Sequence, residues 1–135
     1  MFPRSVFPDT AEVNSLGQLV IGGCNALDLA SHYGTPVYVL DEVAIRARCR
    51  SFIQEFQTRH ENSSVLYAAK AYINPALAKI ILEEGLGLDV VSGGELAIAR
   101  VGGFPLDRIY FHGNNKSSEE LSDAVDQGVG RVVVD

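Results

Sequence analysis

In the stretch VLYAAKAYINP, residues 65–75, an apolar run ends on one lysine, Lys70, flanked by Ala68, Ala69 and Ala71 with no acid close by in sequence. Burial penalises the charged form of an amine, so a lysine in apolar surroundings holds its proton less tightly, and a neutral amine can form a Schiff base with an aldehyde. The position equally suits a lysine that closes a strand and carries its ammonium out to water along its aliphatic stem. Position alone leaves both readings open, and the second is the commoner arrangement. Other polar residues recur where apolar runs stop: Asp89 in GLDVVS, then His112 and Asn114 in IYFHGNN, with Lys116 just beyond. A lone histidine at such a place more often packs or hydrogen-bonds than catalyses, and Lys116 reads as readily as a solvated loop charge. The glycine-rich pieces GLGLD and VGGFP lack the G-x-G-x-x-G or G-x-x-x-x-G-K order of a nucleotide loop and read as helix stops.

The elements that must position these residues follow from the spacing of apolar residues, caps and glycines. From Val65 onward one unit repeats: a short apolar run, a polar turn, an amphipathic segment, then glycine. In the first pass Asn74 is the expected helix N-cap, Pro75 suits the first helical position, and Gly85 closes the helix in a left-handed conformation. In the second, Ser92 and Glu95 form a capping box and the helix stops at Gly102–Gly103. In the third, DRIYFHG leads to a second box at Ser117 and Glu120, and RVVVD begins a fourth strand. Strands alternating with helices predict a parallel sheet, and runs of Val, Ile and Tyr without polar alternation predict strands covered on both faces. Ligands of parallel α/β proteins bind at the carboxyl ends of the strands, where Lys70, Asp89 and His112 all fall.

The first 64 residues are organised differently. LGQLVIGG reads as a strand, NALDLASHYG as a short helix capped by Asn25 and stopped by Gly34, and TPVYVLD as an extended segment. From Asp41 to about His60 the spacing predicts a long helix, with Ile45, Cys49, Phe52, Ile53 and Phe56 forming one buried stripe.

Composition narrows the class of protein. Of the 135 residues, 47% are hydrophobic and 21% charged, which suits a globular chain able to bury a core. A net charge of −6 leaves no basic cluster for a polyanion, so nucleic acid is not an expected partner. No apolar run approaches the ~20 residues of a membrane span, and the amino terminus lacks the pattern of a signal peptide. The expectations are therefore no membrane and a cytoplasmic location. Cys24 and Cys49 have no metal-ligand spacing, and no metal is expected.

YAAKA, followed by GLGLDVVSGGELAIARVGGFPLDRIYFHGNNKSSEEL and GVGRVVVD, closely resembles the amino-terminal part of the fold type III pyridoxal phosphate (PLP) decarboxylases, and the resemblance spans nearly the whole chain. It implies the first half of a (β/α)8 TIM-type barrel at residues 42–135. Residues 1–41 are then a lead-in segment that joins a separate β domain. It also implies that Lys70 carries PLP as a Schiff base and that Asp89 lies beside it, where a carboxylate can help to set the protonation of Lys70. His112, on the same edge, joins them as a candidate cofactor-binding residue. The Ser92-Gly93-Gly94-Glu95 wording points within the family to diaminopimelate decarboxylation, giving L-lysine from the meso substrate. Ornithine, arginine or carboxynorspermidine decarboxylation, or a non-catalytic PLP-binding or regulatory paralogue, are the alternatives. The implied partners are a small amino-acid substrate and a second copy in a homodimer. A complete barrel takes about 250 residues, so the 135 residues taken alone are expected to be inactive. One residue departs from many relatives: Tyr72 stands where they carry asparagine directly after Lys-Ala.

Overall fold

A computed structural model describes residues 6–134, which form two compact units that divide between Arg48 and Cys49. Among the described residues, no helix is long and apolar enough to cross a membrane.

The first unit opens with a small antiparallel sheet of β1 (Glu12–Val13), β2 (Leu19–Ile21) and β3 (Cys24–Asn25), where the sequence pattern suggests a single strand. Asn14 makes the first turn possible, its Oδ1 accepting from the backbone N–H groups of Leu16 (3.0 Å) and Gln18 (2.9 Å). Helix α1 (Ala26–Tyr33) is capped by Asn25, which accepts from Leu27 N at 2.9 Å, and ends at Gly34, as its sequence predicts. TPVYVLD joins no sheet, and Val37, Tyr38, Val39 and Leu40 are exposed. Asp41 caps the next helix through Ala44 N (3.0 Å), and the Thr10 hydroxyl, bonded to its other oxygen, holds its carboxyl below the usual carboxylate value.

Helix α2 (Glu42–Gln57) departs from the expected buried stripe. Only Cys49 is buried along it, Ile45 and Ile53 are half-buried, and Phe52 and Phe56 stand 50% and 55% exposed. Periodicity fixes which residues share a helix face, but not whether anything covers that face.

The second unit is a β/α array: β4 (Leu66–Ala68), α3 (Pro75–Glu83), β5 (Gly87–Val90), α4 (Gly93–Val101), β6 (Ile109–Phe111), α5 (Ser118–Asp126) and β7 (Arg131–Val132). The four strands pair in parallel in chain order, with Ala68 opposite Asp89, Asp89 opposite Tyr110, and Tyr110 opposite Arg131. Side chains alternate across the sheet, so this register sorts them into two sets. Leu88, Val90, Ile109 and Phe111 are fully buried. The other face carries Leu66, Ala68, Asp89, Tyr110 and Arg131, all half-buried or exposed, with the Arg131 guanidinium 4.8 Å from the Tyr110 ring centre. The sheet is thus covered on one face only, a correction to the two-sided covering that the apolar runs suggest.

The local signals hold in this unit. Asn74 accepts from Leu77 N at 2.7 Å ahead of Pro75. Gly85 (φ +89°) then lets Gly85 N reach Leu82 O and Leu86 N reach Ile81 O, the paired bonds that close a helix end. Helix α4 closes the same way, with Gly103 N on Arg100 O and Phe104 N on Ala99 O. Gly102 has a second role. A Cβ there would lie 2.9 Å from Pro75 O and 3.0 Å from the Ala78 Cβ, so its hydrogen is what lets α3 and α4 touch. Gly102→Ala should therefore lower stability by about 1–3 kcal/mol despite its lower unfolded-state entropy, read as a lower urea midpoint at unchanged slope.

Candidate functional site

Lys70 lies two residues beyond the last residue of β4, in a 3-10 turn, Ala69–Ala71, that packs against β5. Ala69 is 2% exposed and anchors the turn, while the Lys70 side chain stands out at the carboxyl edge of the sheet. Tyr67 closes this turn from below: its hydroxyl donates to the Tyr72 carbonyl at 2.8 Å, spanning the lysine. Burial, and secondarily the charge of Cys49, push the Tyr67 phenol above its ordinary value, so it stays a donor across the neutral range. Asn74 Nδ2 in turn donates to the Tyr72 hydroxyl at 3.2 Å. Tyr72 is therefore built into the turn through both its carbonyl and its hydroxyl.

The chain has three lysines, and their surroundings differ. Lys116 donates to the carbonyls of Gly113 and Val133, the latter at 2.9 Å. Lys79 is exposed on α3, away from the strand ends. Lys70 alone stands at the carboxyl edge with no hydrogen bond or ion pair among the described residues. Its amine is open to an incoming carbonyl group.

Asp89 and His112 occupy the same edge. Asp89 is paired in register with Ala68, two residues before Lys70, and its Oδ1 lies 3.6 Å from His112 Nδ1. That separation is within reach of an ion pair but too long for a hydrogen bond. The side chains are 20% and 41% exposed, so both can meet a ligand at the edge. Asn114 is exposed in the loop that follows.

The loops at this edge are tied together by carboxylates. Ser92 caps α4 as predicted, accepting from Glu95 N at 3.3 Å, but Glu95 does not return to Ser92. Its Oε2 accepts from Val91 N at 2.9 Å instead, so the expected box is only half formed. The box at Ser117 and Glu120 is complete, and Glu120 extends it: Oε2 takes Ser117 N at 2.9 Å while Oε1 takes Gly93 N, in the first turn of α4, at 2.7 Å. A Cβ on Gly93 would sit 3.1 Å from that Oε1, which gives the glycine a reason in its own geometry. The Glu120–Gly93 tie spans 27 residues, and no local pattern announces it.

A cleft of about 320 Å³ lies at the opposite, amino-terminal end of the strands, lined by Ser63, Leu66, Gly87, Arg108, Tyr110 and Arg131 among others. It belongs to a different end of the sheet from Lys70.

The parallel β/α array carries an open lysine at its carboxyl edge, and residues 42–135 match the family model described as pyridoxal-dependent decarboxylase, pyridoxal binding domain. The chain belongs to that family. It is 52% identical over 126 residues to the diaminopimelate decarboxylase of Bacillus subtilis, covering 93% of this chain and 29% of that protein. Against the diaminopimelate decarboxylase of Bacillus methanolicus the identity is 49% over 129 residues, with 96% and 30% covered. Among solved structures, the diaminopimelate decarboxylase of M. jannaschii in complex with L-lysine superposes with a TM-score of 0.81 at 33% identity, over 95% of this chain and 30% of that one. The chain thus spans about 30% of the length of these relatives, and its four parallel strands are the first part of a barrel of the expected type.

The residues present fit PLP in the part of the site they form. An aldehyde needs an accessible primary amine free of a competing ion pair, and Lys70 supplies one at the same strand edge as the Asp89 carboxylate and the His112 imidazole.

The Glu120 tie carries a pH dependence. The backbone N–H groups of Ser117 and then Gly93 hold its carboxyl below the usual carboxylate value. A lowered folded-state value contributes stability that is present above the ordinary carboxylate range and lost as the pH falls through the folded-state value. Chemical denaturation from neutrality down to pH ~3 should therefore show a shallower acid loss in Glu120→Gln than in the parent, because the amide does not titrate.

Proposed function

We propose that this chain is the cofactor-binding part of a diaminopimelate decarboxylase in which Lys70 holds PLP, and that the whole protein converts meso-2,6-diaminopimelate to L-lysine and carbon dioxide. The observation that carries this reading is the open amine of Lys70 at the carboxyl edge, within the Tyr67-Ala68-Ala69-Lys70-Ala71 motif. Relatives named diaminopimelate decarboxylase at 46–52% identity support the substrate.

When bound, PLP supplies a sink for the electron pair that stays on the substrate carbon as carbon dioxide departs. The protein's own residues divide the remaining work. The Tyr67–Tyr72 bond fixes the turn, so the Lys70 amine is presented in one place rather than swept over the loop. Once released from the cofactor, Lys70 can accept and return a proton at Nζ. Asp89 places a carboxylate at this edge, its Oδ1 3.6 Å from His112 Nδ1. His112, facing Asp89, is the cofactor-binding ring in this reading. Residues 1–41 join a separate β domain, residues 42–135 begin the barrel, and the enzyme works in the cytoplasm as a homodimer.

In the full-length protein, Lys70→Ala should reduce carbon dioxide release from meso-diaminopimelate by several orders of magnitude. The exposed side chain adds little to the core, so far-UV circular dichroism and the melting temperature should hardly change. Wild-type turnover in this variant would remove Lys70 from the mechanism.

A further inference from the structure

The loop between β6 and α5, residues 112–117, carries His112 at its start, yet it has little apolar anchoring of its own: Asn114 and Asn115 are exposed and no residue of the loop is fully buried. Polar ties take the place of that anchoring. His112 N donates to Val90 O at 2.8 Å, fixing the loop's first residue to β5. Gly113 follows with φ +94°, and a Cβ there would lie 2.9 Å from Val91 O, so the backbone turns away directly against β5. At its far end Glu120 holds Ser117 N, and on the side toward β7 the loop is held by Lys116. Lys116, half-buried, sends its ammonium back to Gly113 O and across to Val133 O at 2.9 Å, just past β7. Val133 N in turn donates to Phe111 O at 2.9 Å, so the residue that Lys116 grips is itself fixed to the strand that ends at His112.

We propose that Lys116 is a positioning residue for the cofactor site, acting through His112 by clamping the β6–α5 loop between β5 and the chain beyond β7. This rests on the reading that His112 meets PLP. An ammonium group suits such a clamp, because its three N–H donors can satisfy carbonyls 17 and three residues away in sequence, and neither carbonyl bears a charge that would fix it elsewhere. Without the clamp, Gly113, a residue free to adopt many conformations, becomes a hinge next to His112, and the imidazole loses its fixed place opposite Asp89. Lys116 touches neither Asp89 nor Lys70, and its effect on the cofactor passes through the loop.

The test is a double-mutant cycle on the full-length protein, stripped of PLP and titrated with PLP while visible absorbance and visible circular dichroism of the bound cofactor are followed. Lys116→Met and His112→Asn should each weaken PLP binding by about tenfold, the scale of a lost charge-assisted contact. The two together should be little worse than His112→Asn alone, because residues that act as a unit are not additive. The visible dichroism of Lys116→Met should also shift toward that of His112→Asn, a signature that simple loss of stability would not produce. Should Lys116→Met fail to fold, Lys116→Gln, which keeps a donor for one carbonyl, carries the same cycle. Unchanged PLP affinity in the Lys116 variant beside a weakened His112→Asn would overturn the proposal alone, as would additive losses. Unchanged affinity in His112→Asn would overturn the reading of His112 as a cofactor residue, and this proposal with it.

Discussion

Parallel pairing of β4, β5 and β6 is the constraint on which the candidate site depends. Because the three strands run the same way and in register, their carboxyl ends reach one edge, which Lys70, two residues beyond Ala68, shares with Asp89, and Asp89 in turn lies diagonally below His112. Antiparallel pairing of the same strands would send alternate loops to opposite edges and scatter these residues. Parallel pairing has a cost, since it requires a helical crossover between every pair of strands. The crossovers α3 and α4 are short, nine residues each, and are kept compact by Gly102, where the two helices meet without a side chain between them.

The two faces of the sheet divide the labour. The helix-covered face, with Leu88, Val90, Ile109 and Phe111 removed from water, supplies the stabilising burial at about 25 cal/mol per Å² of apolar surface. The other face keeps polar and small residues, Asp89, Ala68, Tyr110 and Arg131, that add little to such a core. Rigidity at the functional edge therefore cannot come from packing alone. It comes from backbone donors collected by carboxylates, Glu95 on Val91 and Glu120 on both Ser117 and Gly93, and from backbone acceptors collected by Lys116. Each of these loop ties uses a charged group, which makes a stronger hydrogen bond than a neutral one.

What can be read from the sequence follows the range of the interactions involved. The caps at Asn25, Asn74, Ser92 and Ser117 and the stops at Gly34, Gly85 and Gly103 depend on residues within about five positions of one another, so the chain states them locally. Strand order follows from the repeating β/α pattern, and Lys70 from its place at the end of an apolar run together with a family motif. The exposure of Phe52 and Phe56 is hidden because a periodic stripe records a shared face and not its neighbour. Glu95 cannot be separated from a full capping box, since Val91 and Ser92 are adjacent and offer equivalent N–H groups. The grip of Lys116 on Val133 and that of Glu120 on Gly93 are through-space meetings of distant segments, and a lysine or glutamate bound for such a partner looks the same in sequence as one bound for water.

The central claim is that Lys70, of the three lysines, is the amine that holds the cofactor. Reducing the PLP-loaded full-length protein with borohydride and mapping the labelled peptide tests it directly, because reduction locks the cofactor onto whichever nitrogen carries it. One pyridoxyl group per chain is expected, on Lys70 in the peptide that contains Tyr67 and Ala71. A label on Lys79 or on Lys116 would contradict it.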